Sequence, residues 1–112
     1  MVLRLGIQLL EQLETCHQLG IIHNDLKPAN IMVDEDGKAS IIDFGACRSY
    51  LNENGDHYGS KELVDAFAGN CLFSHAPVLN FQYPTRSQEM VSLGYVLLFI
   101  MDELKEFAFS FL

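Results

Sequence analysis

Hydrophobic positions recur with a helical period over residues 2–19. The apolar stripe consists of Val2, Leu5, Leu9, Leu13 and Cys16. Polar residues, Gln8 and Gln12 among them, fill the opposite face, so the pattern predicts an amphipathic helix with a solvated side. Gly20 follows and is predicted to end the helix in the left-handed conformation that glycine tolerates. The next two residues, Ile21 and Ile22, predict a short buried strand.

Two short apolar runs, at 31–33 and 39–42, enclose a polar turn that contains an Asp-Gly pair. Asp-Gly between β-prone runs is a strong hairpin signal. Antiparallel pairing would bring Asn30, before the first run, and Asp43, after the second, to the open end of the hairpin. Asp25 lies on the loop that leads into the same end. An ordinary solvated hairpin does not account for oxygen donors at these positions, whereas a site for a hard cation such as Mg²⁺ does.

Residues 46–83 show no sustained period, and a turn cluster occupies 52–56. A short helix is predicted at Lys61–Phe67, with Ser60 as its N-cap. So long an irregular segment inside a compact domain usually carries function.

A second helix is predicted from Thr85 onward. Thr85 and Gln88 fit a capping box, in which each side chain bonds the backbone of the other residue. Residues 90–101 are apolar nearly all round, which predicts a helix surrounded by protein. Polar residues return at 102–106, and an apolar tail, for which we expect a covering partner, occupies 107–112.

Composition and charge exclude some classes of binding partner and indicate a cellular compartment. The 112 residues suffice for one small domain, and 15 acidic against 7 basic residues give a net charge of −8. That charge argues against nucleic acid and anionic membrane surfaces. The three cysteines contain no C-x-x-C pair, the histidines show no zinc-ligand spacing, and the N-terminus lacks a signal-peptide pattern. We therefore expect free thiols and an intracellular location, cytoplasmic or nuclear.

The chemistry concentrates in two motifs. The first is His23-Asn24-Asp25-Leu26-Lys27-Pro28-Ala29-Asn30, and Asp43-Phe44-Gly45 begins thirteen residues after its end. In order and spacing they resemble the catalytic loop and the magnesium-binding motif of eukaryotic protein kinases. Lys27-Pro28 is similar to the serine/threonine branch. The run Ser92-Leu93-Gly94-Tyr95-Val96-Leu97 resembles the central helix of the casein kinase 1 group.

The resemblance implies roles for individual residues. Asp25 would orient the substrate hydroxyl and accept its proton, and Lys27 would neutralise the transferring γ-phosphoryl group. Asn30 and Asp43 would hold Mg²⁺, so that Lys27, Asn30 and Asp43 together bind the ATP–magnesium cofactor. The substrate would be a protein serine or threonine. Residues implied to be structural supports are His23, Phe44 and Gly45.

Three positions depart from the family pattern. Asn24 replaces the usual arginine, which removes the cationic pocket for a phosphorylated activation loop. Asn70 stands where a threonine usually contacts the catalytic aspartate and lysine. Glu89 stands where an aspartate usually caps the catalytic loop, and its extra methylene is expected to loosen that loop.

The implied fold is mainly α with a small β-hairpin (α+β), a part of the kinase C-lobe that runs from the helix before the catalytic loop to the central buried helix. The implied segments are a helix at 1–20, the catalytic loop, hairpin and D-F-G at 21–45, the activation segment at 46–84, the buried helix at 85–101 and a divergent tail at 102–112. The Gly-rich loop, the remaining N-lobe and the distal C-lobe have no counterpart in these residues. We therefore expect this polypeptide alone to be inactive.

Two alternatives remain open. One is a non-catalytic, pseudokinase-like module that binds a partner through the apolar helix and tail. The other is a small-molecule phosphotransferase of the aminoglycoside or choline kinase type, whose catalytic loop is similar.

Overall fold

The computed structural model describes residues 2–58, 63, 69–70, 72–74 and 83–109, with side chains described up to residue 106. The elements are α1 (Val2–Gln18), β1 (Ile21–Ile22), a 3₁₀ turn (Pro28–Asn30), β2 (Ile31–Val33), β3 (Ala39–Ile41), β4 (Arg48–Ser49) and α2 (Arg86–Phe109). Within the described residues, two long helices and small antiparallel sheets agree with the predicted mainly α architecture. The helix expected at Lys61–Phe67, its cap Ser60 and the end of the tail lie outside the described residues, Leu63 excepted.

The first helix ends as its sequence predicts. Gly20 has a φ of +82°, in the left-handed region that glycine tolerates. Its N–H donates to the carbonyl of His17 at 3.0 Å, which satisfies one of the free carbonyls of the last turn. The chain then turns directly into β1.

The described strands form two antiparallel sheets of two strands each. In the hairpin β2 pairs with β3, as the Asp-Gly turn predicted, and Ile31 lies opposite Ile41. In the other sheet β1 pairs with β4, with Ile22 opposite Arg48. The sequence predicted β1 but not its partner, because this pairing joins segments that are distant along the chain.

The capping box at the start of α2 is confirmed. The Gln88 N–H donates to Thr85 Oγ1 at 3.2 Å, and the Thr85 N–H donates to Gln88 Oε1 at 3.0 Å. The helix then continues past the predicted end at residue 101 as far as Phe109. Residues 103–106 are good helix formers, and neither glycine nor proline interrupts 102–106, so a return of polarity alone does not end a helix.

The core lies where α1, α2 and the hairpin meet. Gly6 allows the two helices to approach, since a Cβ on Gly6 would lie 3.2 Å from Cδ1 of Leu97. The buried apolar residues of this core are Leu9, Leu13, Leu26, Ala39, Ile41, Leu93 and Val96.

One side of α2 is exposed, in contrast to the predicted all-round burial. The side chains of Leu98 and Met101 are 64% and 53% exposed. Among the described residues, α1 and the core residues of the hairpin and the loop pack against the side of this helix that carries Leu93 and Val96. No helix in the described part of the chain combines the length and the hydrophobicity needed to cross a membrane.

Candidate functional site

A side chain of α2 binds the backbone of the loop between β1 and the 3₁₀ turn. Glu89 is 4% exposed, and its carboxylate accepts the backbone N–H of His23 at 3.0 Å and that of Asn24 at 2.8 Å. Asn24 has a φ of +72°, a left-handed conformation that asparagine adopts more readily than most residues. The carboxylate therefore fixes the backbone immediately before Asp25.

His17, at the end of α1, adds a third donor to Glu89. Its Nε2 lies 3.1 Å from Glu89 Oε1, and both side chains are buried. The sequence predicted that the extra methylene of Glu89 loosens the loop. In the structure the longer side chain reaches both loop N–H groups at normal hydrogen-bond distances and also joins the loop to α1.

His23 aligns the two motifs and is fully buried. Its Nε2 donates to the carbonyl of Ile42 at 2.9 Å, and its Nδ1 accepts the Asp25 N–H at 3.2 Å. These two contacts require the tautomer with its proton on Nε2. The ring of Phe44 packs edge-on against the imidazole, with ring centres 4.7 Å apart. Both ring nitrogens are thus occupied in holding the backbone of the loop and the hairpin.

Polar hydrogens of three side chains point toward the Asp25 carboxylate. Asn30 Nδ2 lies 3.1 Å from Oδ2 and also donates to the Asp25 carbonyl at 2.8 Å. Lys27 Nζ lies 3.9 Å from Oδ2, and Asn70 Nδ2 lies 3.0 Å from Oδ1. The structure therefore brings together the predicted residues of the catalytic loop.

Asn70 is fixed on both sides of its amide. Its Nδ2 also donates to the Leu26 carbonyl at 3.0 Å, and its Oδ1 accepts the Phe73 N–H at 2.7 Å. These contacts orient the nitrogen, rather than the oxygen, toward Asp25. The departure at this position therefore retains a donor to the carboxylate.

Asp43 lies at the open end of the hairpin with its side chain exposed. The Ile42 N–H donates to the Asn30 carbonyl at 2.9 Å, so the backbone contact of the open end falls one residue before Asp43. Asp43 Oδ1 accepts the Gly45 N–H at 3.2 Å, and a Cβ on Gly45 would lie 3.1 Å from that oxygen. Glycine at this position thus leaves room for the carboxylate.

The donor set at this end suits Mg²⁺. Asp43 offers an exposed carboxylate. The Asn30 amide directs its nitrogen to Asp25, so Asn30 Oδ1 is the atom that could bind a cation. Within the described ranges, no group of three or more His, Cys, Asp or Glu side chains could hold a metal by itself. Two protein oxygens supplemented by phosphate oxygens are the arrangement that Mg²⁺ commonly takes.

Comparison with known proteins agrees with the geometry. The family model described as "Protein kinase domain" matches residues 3–109. The chain belongs to the protein kinase family. Sperm motility kinase 2B of Mus musculus is 39% identical over 95 residues, which cover 84% of this chain and 18% of that protein. Serine/threonine-protein kinase PDK1 of Cryptococcus neoformans is 34% identical over 96 residues, or 80% of this chain and 7% of that kinase.

A bacterial kinase is similar over much the same part. Serine/threonine-protein kinase PknK of Mycobacterium bovis is 30% identical over 99 residues, which cover 88% of this chain and 8% of that protein. The chain thus spans less than a fifth of each of these kinases. None of these three relatives is named as a casein kinase 1, so the resemblance to that group stays a prediction.

Sequence reasoning missed three polar residues that hold the loop and the hairpin. His17 occupies a buried position four residues after Leu13 in the apolar stripe, and a histidine in such a stripe was the available signal. Gln8 and Gln12 were placed on a solvated face, but their side chains bind the hairpin. An amide that satisfies a strand edge has no signature in helical periodicity.

Proposed function

We propose that this chain supplies the catalytic loop and the metal-binding motif of a serine/threonine protein kinase, which transfers the γ-phosphoryl group of ATP to a protein hydroxyl. The observation that carries the proposal is the set of three side-chain donors around the Asp25 carboxylate, Lys27, Asn30 and Asn70. A carboxylate held in one orientation can align a substrate hydroxyl and accept its proton as the oxygen attacks.

The charges near Asp25 support the same reaction. The Lys27 side chain is 40% exposed and reaches toward the carboxylate, where it would balance negative charge on the transferring phosphoryl group. Asn30 and Asp43 would hold Mg²⁺, which neutralises phosphate charge when it is bound with ATP. The role of the protein is then to position these groups in advance.

Two finer assignments belong to this proposal. Lys27-Pro28 supports serine/threonine over tyrosine specificity, and the run from Ser92 to Leu97 on α2 supports a casein-kinase-1-like subgroup. The order of α1, the hairpin and α2 supports an assignment to part of the C-lobe. The protein substrate would bind beside Asp25, near the loop that carries Asn70.

The test uses the polypeptide that contains this chain and measures phosphoryl transfer from labelled ATP to a serine/threonine peptide library. The variant Asp25→Asn keeps the size of the side chain but removes the base, so we expect kcat to fall by about 10²–10⁴-fold. Asp36→Asn, in the exposed hairpin turn, is the matched control and should leave kcat unchanged. Transfer by Asp25→Asn at the level of the control would refute the proposal.

A second candidate is the non-catalytic binding module. The exposed apolar side of α2, with Leu98 and Met101, favours it. This candidate predicts that Leu98→Glu abolishes partner binding while Asp25→Asn preserves the biological activity. A kinase predicts the opposite for Asp25→Asn.

A further inference from the structure

Two glutamines of α1 bind the outer edge of β3. Gln8 Oε1 accepts the Ala39 N–H at 2.7 Å, and Gln12 Oε1 accepts the Ile41 N–H at 2.9 Å. Gln12 Nε2 donates to the Ala39 carbonyl at 2.7 Å, and Gln8 Nε2 donates to the Gly37 carbonyl at 3.2 Å. Residues 8 and 12 lie one helical turn apart, so both side chains point to the same strand.

These bonds complete an alternating pattern along β3. On the inner edge, Lys38 O accepts the Asp34 N–H at 3.0 Å, and the Ile42 N–H donates to Asn30 O at 2.9 Å. The backbone groups of Ala39 and Ile41 point to the other edge, where the described residues form no third strand. The glutamine amides, each with a donor and an acceptor in one plane, take the place of peptide groups from that strand.

We propose that Gln8 and Gln12 are positioning residues for the candidate site, an inference that rests on the proposed kinase function. A two-stranded hairpin is at best marginally stable alone, so its register depends on what holds its edges. Gln12 binds Ile41, and the next residue, Ile42, bonds Asn30 at the open end. The glutamines thus transmit the position of α1 to Asn30 and Asp43.

Gln12 is the sharper of the two for a test, because it both accepts from Ile41 and donates to Ala39. Leucine fills a similar volume without either bond. Glutamate keeps the shape but, when ionised, sets an oxygen against the Ala39 carbonyl, and when protonated it recovers a donor. Gln12→Glu therefore converts the contact into one that pH switches on and off.

The experiment is an NMR study of the 112-residue chain labelled with ¹⁵N and with ¹³C at the leucine methyl groups. In Gln12→Leu we expect hydrogen exchange of the Ile41 amide to accelerate about tenfold. The side-chain amide signals of Asn30 should shift, while the methyl signals of Leu9 and Leu93 in the core stay in place. Gln18→Leu is the matched control, because Gln18 is exposed on the same helix and its Nε2 donates to Glu14 Oε1 at 3.3 Å rather than to the hairpin.

The variant Gln12→Glu separates positioning from general destabilisation. Its Asn30 signals should differ from the wild type at neutral pH and return toward the wild type when the carboxyl is protonated. Glu11 and Lys38 line the same groove and Asp34 caps the turn, and all three are present in the wild type, so a wild-type pH series recorded in parallel subtracts their effect. Since this comparison follows one variant through pH, it remains decisive even if Gln12→Leu fails to fold.

Asn30 signals that stay unchanged in both variants, while Ile41 loses protection, would refute the positioning role. The readout involves neither ATP nor metal, so it is independent of catalysis. If the Asn30 signals shift but no Asp25-dependent phosphoryl transfer is found, the proposed kinase function is refuted and the contact between the glutamines and the hairpin is supported. If Asp25-dependent transfer is found but the Asn30 signals do not shift in the glutamine variants, only the positioning role is refuted.

Discussion

The amide nitrogen of Asn70 lies 3.0 Å from Oδ1 of Asp25, across 45 residues of sequence. The same nitrogen donates to the Leu26 carbonyl, so the amide binds both the carboxylate and the loop that carries it. An amide nitrogen can only donate, whereas a hydroxyl at this position could also accept from Lys27. Lys27 is therefore positioned here through Asp25, with its Nζ 3.9 Å from Oδ2.

Removal of this donor should slow the proposed reaction. A hydrogen bond to a charged group contributes about 1.5–3 kcal/mol, so Asn70→Ala should lower kcat by about 10–100-fold. Asn70→Thr restores a hydroxyl donor and should recover most of the rate. Steady-state kinetics of the polypeptide that contains this chain measures both, with Asn54→Ala in the exposed turn as the control. Equal rates for Asn70→Ala and the wild type would show that the contact does not position Asp25.

Glu89 should contribute strongly to stability. Its buried carboxylate accepts donors from His17, His23 and Asn24. Glu89→Gln turns one acceptor into a donor that faces other donors, which should lower the free energy of unfolding by about 3 kcal/mol. Urea unfolding measures the change. Glu103→Gln, at an exposed position of the same helix, should leave the midpoint unchanged, and equal midpoints for the two variants would contradict this prediction.

The capping box should make a smaller, separable contribution. Thr85→Ala removes the acceptor of the Gln88 N–H and should cost about 1 kcal/mol of unfolding free energy. Thr15→Ala, inside α1, removes a hydroxyl that only bonds the carbonyl of its own helix and should cost nothing measurable. Because the two box residues act together, Gln88→Ala and Thr85→Ala should be non-additive in a double-mutant cycle. Strict additivity would mean that the reciprocal contacts do not form in solution.

Cys16 should respond to alkaline pH. Burial, followed by the nearby charge of Glu89, raises the pKa of this thiol above its ordinary value of 9.0. Above about pH 9 the unfolded chain therefore releases the thiol proton first, so stability is lost as pH rises from that value through the folded pKa. Alkylation of a Cys47→Ser/Cys71→Ser protein by iodoacetamide measures the titration. The rate midpoint should be higher in the folded protein than in urea, and identical midpoints would exclude the shift.

The features that sequence alone predicted are local. The left-handed end of α1 at Gly20 and the capping box of Thr85 and Gln88 depend on contacts within a few residues, which a motif encodes directly. The pairing of β2 with β3 is similar, since an Asp-Gly turn favours pairing of the runs on either side of it. The continuation of α2 beyond residue 101 was missed because hydrophobicity was given more weight than helix propensity.

The sequence by itself determined the family and the order of the site residues, because the spacing of His23 to Asn30 and of Asp43 to Gly45 is a covalent property of the chain. It also showed that Asn70 and Glu89 depart from the usual pattern. Whether those side chains reach their partners was decided only by the tertiary structure, in which the packing of α1 on α2 brings Glu89 under the loop. The packing of α1 on the hairpin brings Gln8 and Gln12 to β3. These hydrogen bonds depend on distances of a few tenths of an ångström, which no sequence pattern contains.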